Sequence, residues 1–194
     1  MTTIPTEPDE ITAEHETPPE AGRLNQHPDV ASLQPALAEL ERLYDALLPR
    51  LLEAAGLPTA PRPTLVIQRA GRRRTTLGWM AHQVWTCGEA RRNEITLSAE
   101  FLNRGAAAAF ATLVHEMVHH GNQVRGVRDC SANQYHNRAF KALAEAMGLR
   151  VTKLPHRGFA DTELGPTLLE LAEALQPDEA AFLLFRQPPH AKAR

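Results

Sequence analysis

The sequence predicts an α+β fold, and three features of its order carry that expectation. Leucines at helical spacing come first, short β-type runs follow, and Ala- and Leu-rich helical stretches occupy the remainder. Helix, then sheet, then helices is not the alternation of βαβ units, so strands and helices are expected to segregate.

Residues 1–28 combine Thr, Pro, Glu and His with almost no large apolar side chain, and they are expected to form a disordered acidic tail. Residues 29–187 are expected to fold as one domain, with residues 188–194 as a second disordered tail. Leu33, Leu37, Leu40, Leu43, Tyr44, Leu47, Leu48 and Leu51 recur at helical spacing, and Gly56 with Pro58 supplies a stop, which predicts a helix over 29–56. Thr64–Gln68, Thr76–Trp85 and Asn93–Leu97 have β-type texture and are separated by turn-forming residues, so they predict a small antiparallel sheet. Ser98 is expected to cap a short helical turn broken at Asn103-Arg104-Gly105. Ala106 to about His120 is then the most Ala-rich helix, and another runs from about Asn137 to Met147. Residues 149–165 read as loop with one short strand, and final helices are expected over 166–175 and 178–186.

Composition narrows the classes. The chain has 194 residues, 43% hydrophobic and 23% charged, and no apolar run of membrane-spanning length. The six acids of Met1–Gly22 stand where a secretory leader carries basic residues, which favours a cytoplasmic protein. With those six set aside, 21 basic residues face 17 acidic ones, so the net charge of −2 averages an acidic tail and a mildly basic body. The two cysteines, Cys87 and Cys130, are too few for a disulfide framework or a four-thiolate zinc site and are expected to be free thiols. Nine histidines are the compositional oddity.

Two of them carry the clearest chemistry. His115-Glu116-Met117-Val118-His119 is H-E-x-x-H on a predicted helix. Residues four apart lie about 40° apart around a helix, so both imidazoles can reach one Zn²⁺ while the intervening Glu116 stands beside it as a general base. On the same wheel Ala108, Ala111 and Thr112 keep the ligand face small, and Phe110, Leu113, Val114 and Met117 gather on the opposite face for packing. Solvated or core-satisfied histidines at a helix end are the bland alternative, and the opposed faces argue against it.

Four residues compete for the third ligand: His120, His136, Glu145 and His156. His120 points away from the pair, toward a helix terminus or core edge. On the following helix His136 shares the face of Phe140, Leu143 and Met147, whereas Glu145 falls about 180° away, toward solvent. His156 lies in the loop Leu154-Pro155-His156-Arg157-Gly158 and ranks a distant second. His115, His119 and His136 are therefore the expected ligands, with a fourth position open to water.

These residues carry a family resemblance. The H-E-x-x-H motif, fifteen further residues, and then Tyr135-His136-Asn137-Arg138-Ala139-Phe140 leading into a helix that ends Met147-Gly148-Leu149 resemble the SprT-like metalloproteases. That family includes the Spartan-type enzymes that act on DNA–protein crosslinks. Asn93-Glu94-Ile95-Thr96-Leu97-Ser98 also resembles the strand that precedes the metal helix, and the likeness covers roughly residues 60–150. It implies a zincin-like core with a small antiparallel sheet on the H-E-x-x-H helix, one catalytic zinc on three histidines, and Glu116 as base. The resemblance implies a zinc-dependent metalloendopeptidase that cleaves a protein or peptide substrate, with DNA-associated proteins among the expected targets; the lack of a long apolar run argues against a membrane partner. Many members add a Cys-rich zinc ribbon, but only Cys130 lies beyond the motif here, so the protease core is expected without it.

Several secondary readings follow. Tyr135 is a candidate oxyanion donor, with packing as its alternative. If Asn93–Leu97 forms the sheet edge above the metal, it can pair an extended substrate by strand addition. Asp129, Asp161 and Glu163 are candidates to orient a ligand imidazole. Arg72, Arg73 and Arg74, with Arg62, Arg69, Arg91, Arg92 and Arg104 nearby, could contact phosphates. With 18 Arg against 3 Lys in the chain, a solvated arginine-rich loop is preferred. Trp79 and Trp85 are expected to pack on the sheet before they stack on bases. The competing class is a non-catalytic, zinc-stabilised nucleic-acid-binding module. Glu116 argues against it, because a structural zinc site takes four protein ligands and needs no neighbouring base.

Overall fold

The computed structural model describes residues 32–71 and 75–187. Both expected tails, and Arg72, Arg73 and Arg74, lie outside the described residues. The chain is α+β, with two small sheets and several helices.

Helix α1 (Gln34–Ala55) buries Leu40, Leu43, Tyr44, Leu47 and Leu51 on one face, as their spacing requires. Gly56 closes it at φ +64, a conformation that glycine adopts without strain. Strands β1 (Thr64–Gln68), β2 (Gly78–Cys87) and β3 (Ala90–Ser98) form a sheet in the order β1-β3-β2. The expectation of a wholly antiparallel sheet fails at β1, which runs parallel to β3 with Leu65 opposite Ile95. Only β2 is antiparallel to β3, with Met80 opposite Ile95. Burial accounts for the order rather than the direction: every residue of β3 from Asn93 to Ser98 is buried, and a strand buried that fully takes the middle with a neighbour on each side. Asn93–Leu97 is therefore not the sheet edge, and the edge beside the site is β2.

A 3-10 turn over Ala99–Arg104 leads to α2 (Ala106–Val124), whose first N–H donates to Oε2 of Glu179 at 2.9 Å. This helix continues past the expected end near His120, because Gly121 lets α1 and the next helix pack closely. A Cβ at Gly121 would fall 2.7 Å from Leu51 and 3.1 Å from Leu143. Helix α3 (Arg138–Met147) is capped by Asn137, whose side-chain oxygen accepts from the N–H groups of Ala139 (2.7 Å) and Phe140 (3.3 Å).

Residues 149–165 are not loop. They form an antiparallel hairpin of β4 (Leu149–Leu154) and β5 (Gly158–Leu164), largely polar because one face is solvated. Helix α4 (Pro166–Leu175) follows as expected. The helix expected over 178–186 is a single 3-10 turn, Glu179–Phe182, that buries Phe182; beyond it the Arg186 N–H donates to the Ala99 carbonyl at 2.9 Å. The core joins α1, α2, α3 and β3 through Leu43, Leu47, Phe110, Leu113, Met117, Phe140 and Ile95.

Candidate metal centre

Helix α2 divides its residues as the wheel requires. Phe110, Leu113, Val114 and Met117 are fully buried in the core, while His115, Glu116 and His119 face a cleft of about 700 Å³. The cleft floor is α2. One wall is formed by Thr75–Met80 and the other by Gly126–Cys130 together with Arg157 and Ala160–Thr162. Gly78 allows the first wall to approach: a Cβ there would fall 2.7 Å from the Thr96 carbonyl oxygen and 2.9 Å from Thr112.

His115, His119 and His136 offer one ring nitrogen each within 4.8 Å of one another. The Nε2 atoms converge, His136 lying 3.2 Å from His115 and 3.1 Å from His119. Each opposite nitrogen is engaged elsewhere. Nδ1 of His115 pairs with the Thr162 hydroxyl at 2.9 Å, Nδ1–H of His119 donates to Asp129 at 2.9 Å, and Nδ1–H of His136 donates to the Gln134 carbonyl at 3.1 Å. Donation by Nδ1 to a carboxylate or carbonyl leaves the Nε2 lone pair free. Phe140 forms the floor beneath all three, its centroid 4.8, 4.7 and 4.6 Å from those of His115, His119 and His136.

His136 lies outside any helix and is held from both sides. Its N–H donates to the Arg157 carbonyl and its carbonyl accepts from the Phe159 N–H, each at 3.0 Å. This geometry requires glycine at 158: φ is +63, and a Cβ would lie 2.0 Å from the His136 carbonyl oxygen.

Burial sets the charge states of these side chains by themselves. Desolvation holds His115 well below its ordinary range, reinforced by the neighbouring histidines. It also takes His136 down to about 4, with the charge of His119 adding to the effect. Burial pushes His119 in the same direction, but its hydrogen bond to Asp129 and the carboxylate charges outweigh that and raise it. Glu116, 4% exposed, is pushed up to about 7, chiefly by burial, while a hydrogen bond from the Met80 N–H opposes the rise.

The other sequence candidates lie elsewhere. Glu145 is half exposed and ion-paired with Lys141 at 3.5 Å. His156 is exposed in the β4–β5 turn at φ +62. His120 is fully buried; Asn93 donates to its Nδ1 at 3.1 Å, and burial lowers its pKa to about 4. Tyr135 is next to His136 in sequence, but its ring lies against Gly158, and it is not among the described residues lining the cleft. Asp161 and Glu163 are exposed on β5, whereas Asp129 is buried. Cys130, a free thiol, and Trp79 line the cleft, and Trp85 donates to Glu94 at 2.8 Å. Arg62 is ion-paired with Asp45, Arg91 and Arg92 lie at the exposed start of β3, and Arg104 lines the cleft. Sequence reasoning missed Thr162 and Asn122, which act only through folding contacts. The Arg157-Gly158 step was a readable turn signal, but nothing linked it to His136.

An α+β chain with three converging imidazoles is a protein built to be able to hold a metal ion. It matches the SprT-like family over residues 41–158, more than half of its length, and it belongs to that family. No curated protein and no solved structure matches it. Among the described residues no helix is long and apolar enough to cross a membrane.

Proposed function

We propose that this chain is a zinc-dependent metalloendopeptidase with a zincin-like core, cleaving a protein or peptide substrate. Three imidazole nitrogens with their opposite nitrogens engaged are a donor set that suits Zn²⁺, and His115, His119 and His136 would hold it. Zinc bound there supplies a Lewis acid that polarises a peptide carbonyl and acidifies water.

Glu116 takes the proton of the attacking water and passes it to the leaving amine. The Met80 N–H and the wall at Gly78 hold its side chain. The edge made by Thr75–Leu77 and the first residues of β2, Gly78–Met80, rather than β3, would pair an extended substrate backbone, a mode that depends little on side chains. Targets carried on DNA are part of the proposal on the strength of the family resemblance.

The observation that carries this reading is Glu116, a buried carboxylate beside three convergent imidazoles at an open cleft. Glu116→Gln is expected to slow hydrolysis of an unfolded protein about 10²- to 10⁴-fold while zinc content and melting temperature stay at parent values. Cleavage at the parent rate in that variant would show the mechanism to be wrong. The alternative nucleic-acid module makes Glu116 dispensable and requires DNA binding that weakens steeply with salt.

A further inference from the structure

We infer that Asp129, backed by Asn122, is the positioning residue of this site and sets its metal affinity by fixing the tautomer and orientation of His119. The inference rests on reading the three histidines as metal ligands.

Asp129 is only 7% exposed, and among the described residues its one ion-pair partner is His119. A buried carboxylate without a guanidinium or ammonium partner is strongly disfavoured unless positive charge reaches it another way. Here its Oδ2 accepts both from Nδ1–H of His119 at 2.9 Å and from the side-chain amide of Asn122 at 3.0 Å. The acceptor fixes the proton on Nδ1, so the Nε2 lone pair points at the other two histidines. A cation shared by the three Nε2 atoms is then compensated through the imidazole ring by the carboxylate behind it.

The support beneath Asp129 is itself built. Asn122, three residues after His119 on the same helix, is fully buried. The backbone carbonyl of Asp129 accepts from the Asn137 N–H at 2.9 Å, and the Arg128 carbonyl accepts from the Asn137 side chain at 2.8 Å. Asn137 follows His136 and caps α3. One residue therefore grips the second ligand by its side chain and the segment of the third by its backbone.

Competition for Zn²⁺ against a chromophoric chelator, on full-length folded protein, tests the assignment. Asp129→Ala is expected to weaken zinc binding about 10- to 100-fold. Asp129→Asn keeps an acceptor but not the charge, so it should fall between that variant and the parent. Glu163→Gln, exposed on β5 away from the cleft lining, should bind as the parent does. Should Asp129→Ala fail to fold by circular dichroism, the isosteric Asp129→Asn decides. A role in folding alone would lower the metal-free melting temperature and leave the zinc affinity of the folded variants within twofold of the parent, which overturns the proposal. The two readings separate cleanly. A parent that binds zinc and cleaves nothing defeats the peptidase reading alone, whereas a parent-like zinc affinity in Asp129→Asn, with hydrolysis intact, defeats this one alone.

Discussion

His115 and His119 are placed by one turn of α2, whose opposite face carries Phe110, Leu113 and Met117 in the core. His136 belongs to no helix. It is fixed by hydrogen bonds to Arg157 and Phe159, by glycine at 158, and through Asn137 by the backbone of Asp129. The first pair is therefore a local property of a helix and its burial, whereas the placement of His136 is a tertiary product of segments more than twenty residues apart. His136 can be displaced while the helix that carries the pair persists.

The largest effect is expected from removing what both halves of the site share. Phe140 packs against all three imidazoles and is fully buried, so Phe140→Ala is expected to cost about 3–5 kcal/mol in denaturant unfolding. Metal affinity should fall with it, since neither the helix pair nor His136 keeps its floor. A cost below 1 kcal/mol would mean that the triad does not rest on this ring.

Gly158→Ala disturbs the His136 segment and leaves α2 untouched. An alanine held at φ +63 with its Cβ against the His136 carbonyl oxygen should cost about 1–3 kcal/mol in stability and loosen the metal. The helical circular dichroism contributed by α2 should remain. Equal zinc affinity in this variant and the parent would show that the clamp on His136 is unimportant.

The same division explains what could be read in advance. Helix α1, the limits of β1, the H-E-x-x-H spacing and the extent of α3 are local patterns of spacing and side-chain chemistry, and each was legible. His136 does stand beside the pair, but not for the reason its spacing offered: a helical wheel put it on the face of Phe140, Leu143 and Met147, whereas it precedes the Asn137 cap and is set by bridges to Cys130 and Gly158. The parallel pairing of β1 with β3 was not legible, since neighbouring runs look alike whichever partner they take. The β4–β5 hairpin was obscured by its polar, half-solvated strands. Asp129, Asp161 and Glu163 are equivalent as letters, and only burial and the hydrogen bond to His119 separate them. Helix α2 outran its expected end because the packing of Gly121 against Leu51 overrides glycine's weak helix propensity.

Metal analysis of the purified parent beside His136→Ala and Glu145→Ala tests most directly whether a helix pair and a distant loop residue make one centre. About one equivalent of zinc is expected in the parent and in Glu145→Ala, whose side chain pairs with Lys141 away from the site, and well under one equivalent in His136→Ala. Stoichiometric zinc retained by His136→Ala would contradict the account.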